Sequence, residues 1–426
     1  MKGLSVKSVL QQSVMIILAA MLLVGACAPA TPTLIPATPT PPPSATPAPV
    51  GAFTSGQYQN LFKELLGKSD ADIQAKIDTA WQQLFYGDDK QERVYYPVDP
   101  DMAYILDVGN DDVRTEGMSY GMMIAVQLNK QEEFNRLWKW AKTYMYQSQY
   151  ENKGFFAWHC DPKGKKLDNG PAPDGEEWFA TALFFAATRW GNGEGIFNYE
   201  AEAQAILHAM LHKNDEKTSA VNMFNVEQKM VVFVPSGSGS RYTDPSYHLP
   251  AYYEVWARRA TEDKQFWADA AATSRAFFKK AANPTTGLMP DYANFDGSAY
   301  TTSSDHKDFR FAAFRVGSNV AVDYAWFAAD PAEVEQSNRL LEFFYAQGMD
   351  TYANQFTLDG QPLSKDHSTG LVAMNAVAAL AATIDKGQAF VKALWDASIP
   401  SGKWRYYDGM LYLLGWLHVS GNFRIY

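Results

Sequence analysis

Cysteine is nearly absent: the 426 residues hold two, Cys27 and Cys160. Cys27 falls in a leader-like stretch, so no intrachain disulfide is expected in the mature domain. His159-Cys160-Asp161 lacks a second Cys/His pair to complete a zinc site and reads as a loop. Positive charge is also in deficit. Lys and Arg number 37 against 47 Asp and Glu, a formal net charge of −10, which argues against nucleic acid or an anionic polymer as partner. The apolar run from Val14 to Val24 is too short to span a bilayer. The tract Ser236-Gly237-Ser238-Gly239-Ser240 has no Lys at phosphate-loop spacing and no following helix, so it reads as a flexible tip.

What the N-terminus does contain fits a secretory leader: Met1-Lys2 and Lys7, the short apolar run, then Gly25-Ala26. Cysteine after small residues resembles the bacterial lipoprotein cleavage box. Residues 1–27 are therefore read as a lipoprotein-type signal. Cys27 becomes the lipidated first residue, anchoring the protein at the bacterial cell surface or the periplasmic side of a membrane. An ordinary signal cut near Ala28 or Ala30 is the alternative. Removing Lys2 and Lys7 takes the net charge to −12. Residues 28–50 are almost all Pro, Thr and Ala, an extended linker with too few apolar side chains to offset the entropy of ordering. Residues 51–426 are rich enough in apolar and aromatic side chains for one large monomeric domain.

Periodicity and breakers predict twelve helices, over 71–85, 115–128, 130–148, 175–190, 199–212, 245–260, 263–281, 311–328, 331–348, 368–383, 387–397 and 408–420. Asp70, Asp330 ahead of Pro331, and Thr261-Glu262-Asp263 supply start signals. The odd helices are amphipathic and the even ones apolar almost all round. A helix apolar on every face is enclosed by others, whereas one with a polar face borders water. Strict alternation therefore predicts an all-α fold, six hairpins closed as an (α/α)6 barrel with the even helices inside. Even-to-odd connections are short and odd-to-even ones long (86–114, 149–174, 213–244, 282–310, 349–367). All long loops should thus emerge at one end, where function usually sits. Met230 to Val234 reads as a strand within them.

Glu116, Asp174, Tyr247, Arg315, His367 and Asp408 all fall at or near the entrances of even helices and should converge on that mouth. Capping preference alone accounts for Asp174 and Asp408 but poorly for Glu116, Tyr247 and Arg315. Two acids at glycine-marked helix entrances make a candidate acid/base pair for glycoside hydrolysis. Glu116, followed by Met118, Tyr120 and Met122, has the apolar surroundings to keep a proton. Asp174, in a Pro- and Gly-rich turn beside Glu176 and Glu177, is expected to stay ionised and grip hydroxyl groups. Phe155, Phe156, Trp158, Trp178, Tyr292, Trp404, Tyr406 and Tyr407 offer rings for a saccharide platform, although core packing is the ordinary fate of any one of them. His208 and His212 stand at a metal-ligand spacing, but no Glu follows His208 and the helix is an outer one. They are read as surface histidines, with no metal site.

Arg114-Thr115-Glu116-Gly117 with Tyr120-Gly121-Met122, Gly170 to Glu177, Asp244-Pro245-Ser246-Tyr247-His248-Leu249-Pro250 and Arg315-Val316 through Asn319 resemble glycoside hydrolase family 8. The likeness covers nearly all of 51–426. With Arg405-Tyr406-Tyr407-Asp408 and Ser420-Gly421-Asn422-Phe423, it is strongest to members that release xylose from the reducing end of xylooligosaccharides. The resemblance implies an (α/α)6 barrel, inversion at the anomeric carbon, and neither cofactor nor metal. By position it implies Glu116 as general acid and Asp174 as holder of the distorted sugar. Tyr247 would help fix the attacking water and Arg315 would orient the base. Tyr120, Trp158, Trp178, His367, Tyr406 and Tyr407 are the expected substrate contacts.

Two departures stand out. The family's general base is an Asp three residues before the Arg matched by Arg315, and here that residue is Ala312. A methyl group accepts no proton, so hydrolysis should be very weak. A deliberate replacement, a natural non-catalytic binding protein, or a substitute from Asp305 or Asp308 all fit. The Leu-His-Pro wall of exo-acting members is also altered, to Asp366-His367-Ser368. Release of xylose from the reducing end is expected, with endo action on xylan, cellulose or chitosan as the alternative.

Overall fold

A computed structural model describes residues 50–98, 100–302 and 305–426. The expected signal, Cys27 and all but the last residue of the 28–50 linker lie outside them. After two short helices, Ala52–Ser55 and Leu61–Leu66, come α1 Asp70–Tyr86, α2 Thr115–Gln127, α3 Gln131–Trp140, α4 Pro173–Trp190, α5 Tyr199–His212 and α6 Pro250–Arg259. Then follow α7 Lys264–Ala281, α8 Phe314–Phe327, α9 Ala332–Ala346, α10 Thr369–Ala378, α11 Gly387–Asp396 and α12 Arg405–Val419.

The alternation sorts these helices into two layers. In α2 every residue but Glu116 is buried, in α10 every residue but Thr369, and in α12 all but Tyr407 and Asp408. In α3, by contrast, only Phe134, Leu137, Trp138 and Trp140 face inward. Each even helix packs on the next, α12 returns to α2, and the odd helices lie against the outside of this ring. The fold is an (α/α)6 barrel. In α2, α10 and α12 the positions that are not buried sit in first turns, whereas α4, α6 and α8 also leave residues partly exposed towards their C-terminal ends.

Helix entrances deviate in ways that matter for the site. Proline starts a helix but cannot sit inside one, so α6 begins at Pro250 and Tyr247 lies in a separate 3-10 turn, Pro245–Tyr247. Ala312 likewise lies in a 3-10 turn, Phe311–Ala313, ahead of α8. α12 starts at Arg405, three residues earlier than expected, and α10 stops at Ala378. α3 continues as a π turn, Ala141–Met145. α1 is capped by Ser69, whose side chain accepts from the Asp72 amide; Asp70 is its first residue.

The loops carry short antiparallel strands: β1 Tyr95–Val98 with β2 Met102–Ile105, and β3 Val113–Arg114, β4 His159–Cys160 and β5 Lys166–Asp168 as one sheet in that order. His159-Cys160 is therefore a central strand and not a loop. It pairs with the residues just ahead of Glu116. The expected 230–234 strand is confined to β7 Met230–Val231, paired with β6 Phe224–Asn225.

Candidate active site

Glu116 is placed by what precedes it. β3 is held flat by the Arg114 guanidinium, which pairs with Asp107 at 3.1 Å and Asp112 at 2.9 Å, and by His159, whose ring lies 2.9 Å from Asp112. The Thr115 amide donates to the Trp158 carbonyl at 3.0 Å. The chain then turns into α2 and presents Glu116 as the one residue of that helix not buried. Two glycines allow the close packing around it. A Cβ on Gly117 would lie 2.6 Å from the Tyr406 ring, and one on Gly175 would lie 2.4 Å from Thr115 Cβ.

Arg315, in the first turn of α8 and 5% exposed, is the hub. Its Nη1 donates to Glu116 Oε2 and Asp174 Oδ2, each at 3.1 Å, and to the Tyr120 hydroxyl. Its Nη2 donates to Ser246 Oγ at 2.8 Å. One planar cation thus ties α2, α4, the 245–247 turn and α8 together, a use suited to guanidinium and not to ammonium. The Tyr406 hydroxyl donates to the other oxygen of Glu116 at 3.0 Å. Asn319 Nδ2 donates to the Ser246 carbonyl at 2.8 Å and to the His248 carbonyl at 3.3 Å, fixing the turn that carries Tyr247.

Asp174, in the first turn of α4, is 4% exposed. Burial raises its carboxyl to about 6; Arg315 and the Gly175 amide pull it down, and the nearby Glu116 charge adds to the rise. It remains mostly ionised at neutral pH and loses its charge just below. Glu176 and Glu177 are likewise interior. Burial pushes both well above the carboxylate range, with Glu176 accepting from the Phe156 amide at 2.8 Å and Glu177 from the Tyr253 hydroxyl at 2.6 Å. They support the walls, and the Asp174 charge adds to their rise.

Ala312 is half-buried beside this hub, its carbonyl 3.5 Å from Arg315 Nε. The amides of Ala312 and Ala313 donate to Asp291 Oδ1 at 3.0 and 3.3 Å, and Asp291 Oδ2 meets His306 Nδ1 at 2.5 Å. Asp291, Ser246 and the Tyr406–Glu116 bond are site features the sequence did not single out. Asp291 lies in a loop without periodicity, and only its conjunction with the 3-10 turn reveals it.

The comparisons agree with this geometry. The family model for glycosyl hydrolases family 8 matches residues 104–421. The chain belongs to that family. The reducing-end xylose-releasing exo-oligoxylanase Rex8A of Paenibacillus barcinonensis is 46% identical to it over 381 residues, 88% of this chain and 98% of that protein. A reducing end xylose-releasing exo-oligoxylanase of Halalkalibacterium halodurans is 43% identical, covering 88% of this chain and 96% of the relative. Among solved structures, a GH8 xylobiose complex from Teredinibacter turnerae superposes with TM-score 0.85 at 48% identity, over 88% of this chain and 99% of that one.

The aromatic residues of this family 8 chain divide between mouth and interior. Trp158 is half-buried beside Glu116, stacked on His159 at 4.4 Å. Tyr407 is half-buried and its hydroxyl donates to the Phe311 carbonyl at 2.8 Å; Trp404 is 65% exposed. Trp178 differs from the expected sugar platform. It is 8% exposed, with Tyr120 and Tyr252 set edge-on at 4.6 and 5.2 Å, and it supports the floor. Tyr406 and Tyr120 are also buried and hydrogen-bond to Glu116 and Arg315, respectively, while Phe155 and Phe156 belong to the core. Tyr247 is 7% exposed and faces Phe233. His367 stands exposed ahead of α10. Its Nδ1 meets the Tyr352 carbonyl at 2.8 Å, and neighbouring Ser368 donates to Asp408 at 2.6 Å.

Proposed function

We propose that this family 8 chain binds xylooligosaccharides at the α2–α4–α8 mouth, with the geometry of an inverting hydrolase that releases xylose from the reducing end. Its turnover is held very low by Ala312. The observation that carries the substrate reading is the 46% identity to Rex8A across nearly the whole of that protein. Glu116 serves as general acid. Tyr406 and Arg315 hold one oxygen each, which aims the carboxyl at the leaving oxygen. Asp174 grips the sugar next to the scissile bond, Tyr247 helps hold the water, and Trp158 and Tyr407 line the approach.

Inversion requires a second carboxylate on the opposite face of the sugar, about 6.5–9.5 Å from the acid, to take a proton from water. Ala312 occupies that seat with a methyl group. Asp291 is a poor substitute, because one oxygen accepts from two amides and the other is engaged by His306. Asp308 is 8% exposed and paired with Arg310 at 3.8 Å. The alternative favoured by Ala312 is a carbohydrate-binding protein on the same scaffold.

The test compares the Ala312 chain with Ala312→Asp on xylotriose to xylohexaose. A base contributes about 10²–10⁴-fold, so a rise of that order, with xylose as sole small product, is expected. No rise would remove position 312 from the mechanism, and mixed mid-chain products would assign endo action. Oligosaccharide binding without turnover in both chains would assign the binding role. Secretion and lipidation at Cys27 belong to the same proposal. Globomycin-sensitive processing in a bacterial host would support them, and a mature protein starting after Cys27 would rule them out.

A further inference from the structure

A second cluster lies on the outer ring. His208 and His212, one turn apart on α5, stack with ring centroids 4.6 Å apart. No Glu directly follows His208, and Asp215, three residues after His212, lies beyond the end of α5. The fold supplies a third ligand: the turn from α6 to α7 brings Glu262 and Asp263 against the pair. His208 Nδ1 lies 3.0 Å from Glu262 Oε2, and His212 Nε2 lies 2.7 Å from Asp263 Oδ2. Asp215 Oδ2 sits 3.3 Å from the other ring nitrogen of His212. Ligand atoms of His208, His212 and Glu262 all fall within 4.8 Å of one another. His208 and Glu262 border a surface cleft of about 220 Å³.

We propose that His208, His212 and Glu262 form a binding site for a divalent transition-metal ion of the Zn²⁺ class. Two imidazoles and a carboxylate are a borderline donor set that suits Zn²⁺ over Mg²⁺ or Ca²⁺, whose preferred ligands are all oxygen. Tetrahedral coordination with bonds of about 2.0–2.1 Å sets ligand atoms roughly 3.3–3.4 Å apart, so the wider separations in the cluster must close. The His208 and Glu262 side chains, 60% and 62% exposed, are free to rotate inward. Asp263 and Asp215 then act as outer partners that orient the His212 ring or complete the shell. The ion would clamp the end of α5 to the start of α7, two hairpins otherwise joined here by side-chain contacts alone. It plays no part in the chemistry at Glu116.

The probe is Zn²⁺ itself, titrated calorimetrically into the chelator-treated full chain, with thermal unfolding followed in parallel. Saturable one-to-one binding at micromolar Zn²⁺ and a rise in melting temperature are expected. His212→Ala should weaken binding at least about tenfold and abolish the thermal shift. His208→Ala, at an exposed position that folding tolerates, should do the same. Absence of saturable binding below millimolar Zn²⁺, or an affinity in the His208→Ala or His212→Ala chain equal to that of the unsubstituted chain, would overturn the site. Equal stabilisation by Mg²⁺ would overturn the donor-set argument.

Discussion

Arg315 and Glu116 are 199 positions apart in the chain and meet at 3.1 Å, and the same Arg315 nitrogen touches Asp174 at the same distance. One cation is therefore shared by two acids that would otherwise repel each other across the mouth. That sharing sets both the shape of the site and its cost to stability.

Replacing Arg315 should be among the most damaging single changes. Arg315→Ala leaves two carboxylates facing each other without a counter-charge, a loss of about 3–5 kcal/mol for a buried pair. Arg315→Lys keeps the charge but not the fork that reaches Ser246 and Glu116 together, so it should recover only part of the loss. Denaturant unfolding of the three chains checks the order.

Gly117→Ala should be destabilising although alanine is the better helix former. The new Cβ would meet the Tyr406 ring at 2.6 Å and its hydroxyl at 2.8 Å, pushing the phenol off Glu116. Overpacking of this kind costs about 1–3 kcal/mol. In the Ala312→Asp background it should also lower turnover, and double replacement with Tyr406→Phe should add little further loss.

Asp174 predicts a pH dependence of defined sign. Its folded carboxyl stands at about 6 against 3.8 unfolded, so the folded chain keeps a proton that the unfolded chain has already released. Stability should fall as pH rises through that window, by about 3 kcal/mol in total for two units. Relative to Asp174→Asn, the unsubstituted chain should lose stability between pH 4 and 7; a flat difference would refute the shift.

His418 predicts the opposite slope. Burial depresses it from 6.5 to about 3, so the unfolded chain binds the proton first. Its contribution is complete above pH 6.5 and is lost as pH falls towards 3. His418→Phe, which keeps a ring against Phe423, should flatten the acid limb of the unfolding curve.

Trp158→Ala should weaken xylooligosaccharide binding by about 1 kcal/mol, roughly fivefold, if the ring stacks on sugar. Trp178→Ala should instead appear chiefly as lost stability, because that ring is enclosed. Paired calorimetric and unfolding measurements separate the two.

Much of the mouth was legible in the chain. Glu116, Asp174 and Arg315 announce themselves as polar residues breaking into apolar helices at their first turns, and the fold joins them through one guanidinium. What could not be read is which way each side chain faces once there. Trp178 and Tyr406 look like platform rings in a list of aromatics, yet one is floor and the other a hydrogen-bond donor to Glu116. The depth of Asp174 is equally hidden in the chain: it is buried where Gly175 lets α4 close on Thr115.

Barrel class and the end that carries the loops are local properties, since a helix apolar on all sides must be enclosed whatever its neighbours are. Proton affinities, the company kept by Ala312, and the meeting of His208 with Glu262 depend on residues from separate hairpins, brought together when the ring closes. Periodicity along one helix holds no information about the rotation or depth of another. Those features belong to the tertiary structure because burial and Coulomb energy act through space and not along the chain.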